Sequence, residues 1–276
     1  MATPTLTRHT LPGVLGPIAV DLRTSDRHSP RPAVAILPGF KGFKDWGMFP
    51  ALAERVARAG FTAVSVNCSG CGVNERGEFA YPERFGHNTF SAELQDVQHV
   101  LDALEQGTFG LAPTTMVGLV GHSRGGGTAI LTARRDPRVH TLVTWAAIAT
   151  VDRWLDKAVE WRAAGKLDIV NTRTGEVLPL YLDALDDIEQ HRPELDILAA
   201  ATELTVPWLL LHGSADPAVP LIEARALVAG APAHPPRVIV LDDAGHTFGA
   251  VHPFAGISPD LALVFDETMK WLGRHL

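Results

Sequence analysis

The sequence predicts an α/β fold, in which a mostly parallel central sheet of about eight strands has helices on both faces. Short apolar runs alternate along the chain with longer stretches whose apolar residues recur at helical spacing. The short runs are apolar throughout, as expected of parallel strands that are buried on both faces. No stretch of linker composition divides the 276 residues, so we expect one domain over residues 1–276.

The first half of the chain supplies the first strands and helices of this pattern. Residues 6–22 are expected to form one or two antiparallel strands. Ala33–Leu37 is a buried strand closed by Pro38-Gly39. The helices and strand that follow are predicted at residues 49–59, ending at Gly60, at residues 61–66, and around the apolar positions Leu94, Val97, Val100, Leu101 and Leu104.

The same rhythm continues to the C-terminus, with one interruption. Strands are predicted at residues 116–120, 141–147, 208–211 and 238–241, and helices at residues 126–135, 221–228 and 261–272. Between about residues 150 and 203 no good strand is visible. Trp154, Leu155, Val159 and Trp161 suggest an amphipathic helix there. We therefore expect a helical cap, inserted over the edge of the sheet.

Composition limits the partners and the location of the protein. The net charge is −7, acidic and basic residues are mixed, and no Lys/Arg-rich run suggests binding to nucleic acid or to an anionic membrane. No segment approaches the ~20 apolar residues that span a bilayer. The first ten residues lack the basic start and apolar stretch of a secretory signal. We expect a cytoplasmic protein whose partner is a small molecule, in an oligomeric state that the sequence leaves open.

The chemistry begins at Gly121-His-Ser123-Arg-Gly125, which lies between a predicted strand and a predicted helix. The two glycines allow a sharp turn without steric clash, and the turn exposes the serine at a helix N-terminus that favours negative charge. This context makes Ser123 a candidate nucleophile. The alternative is a purely structural role, as a glycine-rich turn with an incidental serine.

A serine hydroxyl needs a base to take its proton. Asp216 follows the strand at residues 208–211, and His246 follows the next strand, so both should lie at the same end of the sheet as Ser123. We expect His246 to act as general base and Asp216 to orient it. The other candidates fit this arrangement less well: His122, His212, His234, His252, Asp242 and Asp243.

Acyl transfer also needs hydrogen-bond donors for the developing oxyanion. One should be the backbone N–H of Arg124, directly after the nucleophile. The second should come from the loop after the strand Ala33–Leu37, where we choose the backbone N–H of Phe40.

Four segments resemble the dienelactone-hydrolase-like and carboxylesterase-like branch of the α/β-hydrolase superfamily. They are Leu37-Pro-Gly-Phe-Lys-Gly-Phe-Lys-Asp-Trp46, Gly121-His-Ser-Arg-Gly-Gly126, His212-Gly-Ser-Ala-Asp-Pro217 and Ala244-Gly-His246. The resemblance implies an α/β-hydrolase fold and hydrolysis of carboxylic esters through an acyl-enzyme, without a cofactor or metal. Two positions depart from the pattern: Pro38 stands where many relatives have histidine, and Ser123 where dienelactone hydrolases have cysteine. The same triad chemistry also serves peptidases and thioesterases, and a non-catalytic ligand-binding protein is the alternative from another class.

The sequence indicates the roles of the pocket residues and of the two cysteines less clearly than it does the triad. Phe43, Trp46, Trp145 and Trp154 are expected to wall a substrate site, although Trp145 and Trp154 could equally belong to the core. Cys68 and Cys71 are interpreted as two ordinary loop thiols, with a local disulfide as the alternative.

Overall fold

The computed structural model describes residues 3–171 and 174–276. In chain order its strands are β1 (Thr5–Pro12), β2 (Pro17–Thr24), β3 (Ala33–Leu37), β4 (Thr62–Asn67), β5 (Val117–His122), β6 (Val139–Trp145), β7 (Lys166–Val170), β8 (Val177–Tyr181), β9 (Trp208–Gly213) and β10 (Arg237–Leu241). Eight of them form the central sheet, in the order β1-β2-β4-β3-β5-β6-β9-β10. The pairs β1–β2 and β2–β4 are antiparallel, and the other pairs of this sheet are parallel. The predicted mostly parallel sheet of about eight strands is confirmed.

Helices cover both faces of this sheet, as predicted. They are α1 (Phe49–Arg58), α2 (Pro82–Gly86), α3 (Phe90–Glu105), α4 (Arg124–Arg135), α5 (Ala158–Ala164), α6 (Leu182–Gln190), α7 (Ile197–Glu203), α8 (Leu221–Ala229) and α9 (Pro259–His275), with a short 3-10 helix at Leu155–Lys157. Because successive side chains of a strand point to opposite faces, β3 supplies two cores. Ala33 and Ala35 pack with α3 and α4, whereas Val34 and Ile36 pack with α1 and α9.

Every residue of β3, β4 and β5 is buried. This burial explains why these strands are apolar throughout rather than alternating, since both faces lie against helices.

The segment between β6 and β9, where a helical cap was expected, differs from that expectation. Besides the 3-10 helix, α5, α6 and α7, it contains an antiparallel hairpin formed by β7 and β8, so the expectation of no strand there was wrong. Leu167 and Ile169 of β7 alternate with exposed residues and pack against a cap core, to which α2 contributes Phe85. The other buried members of this core come from the cap itself: Trp161, Leu178, Leu180, Ala184 and Leu185. The indole N–H of Trp161 donates to the carbonyl of Leu180 at 2.8 Å, which ties α5 to β8.

Candidate active site

Ser123 lies at the tight turn between β5 and α4. Its backbone has φ 57° and ψ −120°, a conformation that is costly for a residue with a side chain and is typical of functional sites. A Cβ at Gly121 would lie 2.3 Å from the carbonyl oxygen of Gly125. Gly121 is therefore required by the close approach of strand and helix, as the sequence motif indicated.

Asp216 and His246 come together although 30 residues separate them in the sequence. The Nδ1–H of His246 donates to Oδ2 of Asp216 at 2.7 Å. The other carboxylate oxygen, Oδ1, accepts the backbone N–H groups of Ala218 at 2.8 Å and Val219 at 2.9 Å. With one oxygen held by the backbone and the other by the ring, the carboxylate fixes both the orientation and the tautomer of the imidazole.

The surroundings of Asp216 favour its ionised form. Burial of the carboxyl alone would raise its pKa, but the hydrogen bond and charge of His246, with the two backbone N–H groups, lower the pKa below its ordinary value. The side chain of Asp216 has no exposed surface, whereas 21% of the His246 side chain remains exposed. The imidazole can therefore meet a substrate while the acid behind it stays shielded from water.

Ser123 and His246 line the same cavity. Among the hydrogen bonds formed by the described residues, His246 makes one to Asp216 and none to the Ser123 hydroxyl. Contacts of this kind are often long without substrate and tighten when the substrate binds. The structure therefore places the serine and the imidazole at one site, with the acid–base half of the arrangement already formed.

Two histidines that the sequence analysis set aside support this arrangement. The Nε2–H of His122 donates to the backbone carbonyl of His246 at 2.9 Å. Burial, followed by the nearby His246 ring, lowers the pKa of His122 to about 3, so this ring is neutral. His212 is fully buried, and its Nε2–H donates to the carbonyl of Val219 at 2.8 Å, in the turn that holds Asp216. The indication of this role in the sequence is that both histidines lie near the carboxyl end of a strand, His122 in β5 and His212 in β9.

The loop after β3 lies against the nucleophile, as the oxyanion prediction requires. A Cβ at Gly39 would lie 2.8 Å from the Cβ of Ser123, and a Cβ at Gly125 would lie 2.3 Å from the carbonyl oxygen of Leu37. Arg124 is the first residue of α4, where a backbone N–H has no acceptor within the helix. The backbone around Phe40 and Arg124 thus borders the serine from two sides.

A cavity of about 660 Å³ opens in front of Ser123. Of the predicted substrate-binding residues, Trp46 and Trp154 line it, and Trp154 packs on Phe40 with ring centroids 5.0 Å apart. A pocket of this size suits a small or medium organic ligand.

Phe43 and Trp145, by contrast, are not part of the cavity wall, which corrects that part of the expectation. Trp145 is fully buried, because its position on β6 turns the indole towards α9, where its N–H donates to the Thr268 hydroxyl at 3.0 Å. Phe43 is 4% exposed and lies behind the wall, with its ring edge-on to His252 at 5.2 Å.

Cys68 and Cys71 are free thiols, as interpreted from the sequence. Burial is the main cause that raises the pKa of both, to about 11 for Cys71, so neither is an activated nucleophile. In residues 3–171 and 174–276, no three His, Cys, Asp or Glu side chains are grouped so that they could hold a metal ion. Within the same residues, no helix combines the length and apolar character needed to cross a membrane.

Comparisons with known proteins agree with this architecture. The family model Hydrolase_4, described as serine aminopeptidase S33, matches residues 28–178, more than half of the chain. A curated relative, the 2,6-dihydropseudooxynicotine hydrolase of Paenarthrobacter nicotinovorans, is 23% identical over 251 residues, or 89% of this chain. The chain spans 60% of the length of that relative.

Two solved structures show the similarity of fold. A putative hydrolase from Agrobacterium vitis has a TM-score of 0.75 and 22% identity, covering 97% of this chain and 99% of its own. Est1E from Butyrivibrio proteoclasticus, solved with ferulic acid bound, has a TM-score of 0.68 and 15% identity, covering 94% of this chain and 95% of its own. At these identities the likeness concerns the fold.

Proposed function

Since the chain belongs to the serine aminopeptidase S33 family of α/β-hydrolases, we propose that it is a serine hydrolase that cleaves carboxylic esters of small or medium size. The observation that carries this proposal is the 2.7 Å hydrogen bond from His246 to Asp216 beside a cavity that Ser123 also lines. A base with a fixed tautomer beside a serine on the same cavity wall is the arrangement that nucleophilic catalysis needs.

In the proposed reaction the hydroxyl of Ser123 attacks the ester carbonyl while Nε2 of His246 takes its proton. The charge on the tetrahedral intermediate is held by the backbone N–H groups of Phe40 and Arg124. His246 then gives the proton to the departing alcohol, which leaves an acyl-serine. A water molecule, deprotonated by His246, attacks this acyl-serine, and the acid is released with Ser123 restored. Asp216 stays ionised and stabilises the imidazolium in both halves.

The charge of the cavity favours an ester over the free N-terminus of a peptide. An aminopeptidase must hold the substrate's ammonium group, for which a carboxylate is the strong partner. Among the described residues, no Asp or Glu lines the cavity, whereas three basic side chains do: Lys41, Arg124 and Arg153. Although Arg124 pairs with Glu93 and Arg153 with Glu223, neither carboxylate lines the cavity, so a free ammonium group would find no such partner on its wall, whereas an ester needs none.

Replacement of the nucleophile tests the proposal. Ser123→Ala should reduce kcat for 4-nitrophenyl butyrate by about 10⁴-fold or more, since the proposed acyl-enzyme forms on the Ser123 hydroxyl. Ser29→Ala, at an exposed position, is the matched control and should hydrolyse the ester at the wild-type rate. Equal thermal midpoints for the two variants would show that the fold is intact. Rapid hydrolysis by Ser123→Ala would refute the proposal.

A fluorophosphonate probe separates the enzyme from a non-catalytic binding protein. We expect stoichiometric labelling, and mass spectrometry should locate the adduct on the peptide that contains Ser123. An unlabelled wild-type protein would favour the binding protein. Matched thioester and amide substrates, measured beside the ester, would show which acyl bond the cavity prefers.

A further inference from the structure

The Arg124 side chain is held rigidly on the cavity wall. Its Nε donates to Oε1 of Glu93 at 2.8 Å, and its guanidinium lies 3.7 Å from the centroid of the Phe90 ring. Both partners belong to the first turn of α3. Only 10% of the Arg124 side chain is exposed. Stacking on a ring face leaves the edge of a guanidinium available for hydrogen bonds.

That edge lacks a protein acceptor. Nη2 of Arg124 is buried without a hydrogen-bond partner among the described residues. Glu93 is already engaged, because its Oε1 also accepts from Nδ2 of Asn88 at 2.7 Å and its Oε2 accepts from the Thr128 hydroxyl at 3.1 Å. Buried polar groups without a partner are rare in native proteins, and an absent ligand is one explanation for them.

The charge around Arg124 specifies what kind of acceptor would fit. The described residues that line the cavity include Lys41 and Arg153 as well as Arg124, and they include no carboxylate. Arg124 and Arg153 are paired with Glu93 and Glu223, but these carboxylates do not line the cavity, so its wall presents the cationic groups. A guanidinium edge matches a carboxylate geometrically.

We propose that the substrate is an ester whose acyl group carries a carboxylate, and that Arg124 binds this carboxylate through its guanidinium edge. This inference rests on the proposed esterase function. The acyl side is chosen because the alcohol must depart next to His246, whose side-chain neighbours are Asp216 and His122. Arg124 instead packs on Phe90 and Glu93 of α3, so we place the acyl group of the ester against it.

Two esters of equal length test the inference. Mono-4-nitrophenyl adipate ends in a carboxylate, and 4-nitrophenyl hexanoate ends in a methyl group. We expect kcat/KM for the adipate ester to exceed that for the hexanoate ester by about tenfold or more, the effect of one charge-assisted hydrogen bond. Equal values, or a preference for hexanoate, would overturn the inference while leaving the esterase proposal intact. Hydrolysis of neither ester would instead contradict the esterase proposal.

A double variant assigns the preference to Arg124. Arg124→Met combined with Glu93→Gln removes the cation without leaving a buried carboxylate unpaired, and it should reduce the adipate-to-hexanoate ratio to about one. The same two changes at an exposed ion pair, Arg58→Met with Glu54→Gln, should leave the ratio at its wild-type value. A ratio that survives loss of Arg124 would overturn the assignment.

Direct binding provides a readout that does not depend on turnover or on the folding of the double variant. In calorimetry with Ser123→Ala, we expect monomethyl adipate, which carries one carboxylate, to bind at least about tenfold more tightly than methyl hexanoate, which carries none. Equal affinities for the two methyl esters would count against a carboxylate site at Arg124.

Discussion

The substitution Asp216→Asn tests the acid–base arrangement most directly. Oδ1 of Asp216 accepts two backbone N–H groups, those of Ala218 and Val219. An asparagine must keep its carbonyl oxygen there, because an amide NH₂ in that place would set donors against donors. The amide NH₂ then occupies the position of Oδ2, 2.7 Å from Nδ1 of His246. Nδ1 becomes an acceptor, and the ring proton moves to Nε2.

An imidazole with its proton on Nε2 cannot accept the proton of Ser123. We therefore expect kcat for 4-nitrophenyl butyrate at pH 7.5 to fall by about 10⁴-fold, the effect seen when a triad acid becomes an amide. This corresponds to about 5 kcal/mol of lost transition-state stabilisation. The asparagine keeps both backbone hydrogen bonds, so the variant should remain folded.

The matched control is Asp242→Asn, which makes the same change at one of the other acids near His246. Asp242 is exposed, and we expect its variant to keep the wild-type kcat within about threefold, as surface changes usually do. Stopped-flow measurement of the nitrophenolate burst would show whether acylation is the step that slows. A rate for Asp216→Asn within tenfold of wild type, or an equal loss for Asp242→Asn, would refute the reasoning.

Two further predictions concern the framework of the site, and both are read from urea denaturation. Gly125→Ala should lower the free energy of unfolding by about 3 kcal/mol, because its Cβ would lie 2.3 Å from the Leu37 carbonyl oxygen. The control is Gly273→Ala in α9, where a Cβ meets nothing within 4 Å, and it should raise the free energy of unfolding by about 0.5 kcal/mol. The second prediction concerns His122, whose folded pKa of about 3 lies below the ordinary 6.5, so its stability contribution is complete above pH 6.5 and is lost as the pH falls. Between pH 7.5 and 5 the free energy of unfolding of the wild type should fall by about 2 kcal/mol more than that of His122→Gln. The control His28→Gln, at an exposed position, should behave as wild type. Equal falls for the wild type and His122→Gln would contradict this prediction.

The fold could be predicted because strands that are buried on both faces are apolar throughout, a pattern that the sequence shows directly. β3, β4 and β5 are apolar runs that end in turn residues, and the helices between them keep one apolar face. The hairpin of the cap has a less regular pattern of apolar residues. β7 contains Lys166 and Asp168, and β8 contains Pro179, a residue that is rare within strands. Such short, half-exposed strands derive their stability from the cap core, which the local sequence does not reveal.

The candidate site shows the same division between local and long-range information. The turn around Ser123 is encoded partly locally, because Gly121 is required by its contact with the Gly125 carbonyl, whereas Gly125 is required by the backbone of Leu37, far away in the sequence. The walls of the cavity depend on how side chains rotate at the ends of strands. Trp145 ends β6 next to the site, yet its indole packs against α9. No spacing rule distinguishes that orientation from one in which the ring faces the substrate.

The position of His246 depends on contacts that no local pattern could show. Its ring is held by Asp216, and its backbone carbonyl accepts from His122, 124 residues earlier in the chain. The loop before it is packed so closely on β9 that a Cβ at Gly213 would lie 2.2 Å from the Ala244 carbonyl oxygen. These contacts join the loops after β5, β9 and β10 at one edge of the sheet. The neutral state of His122 matters because the ring centroids of His122 and His246 are only 4.6 Å apart. A protonated His122 would place a cation beside the imidazole of His246, which must itself become charged during the reaction.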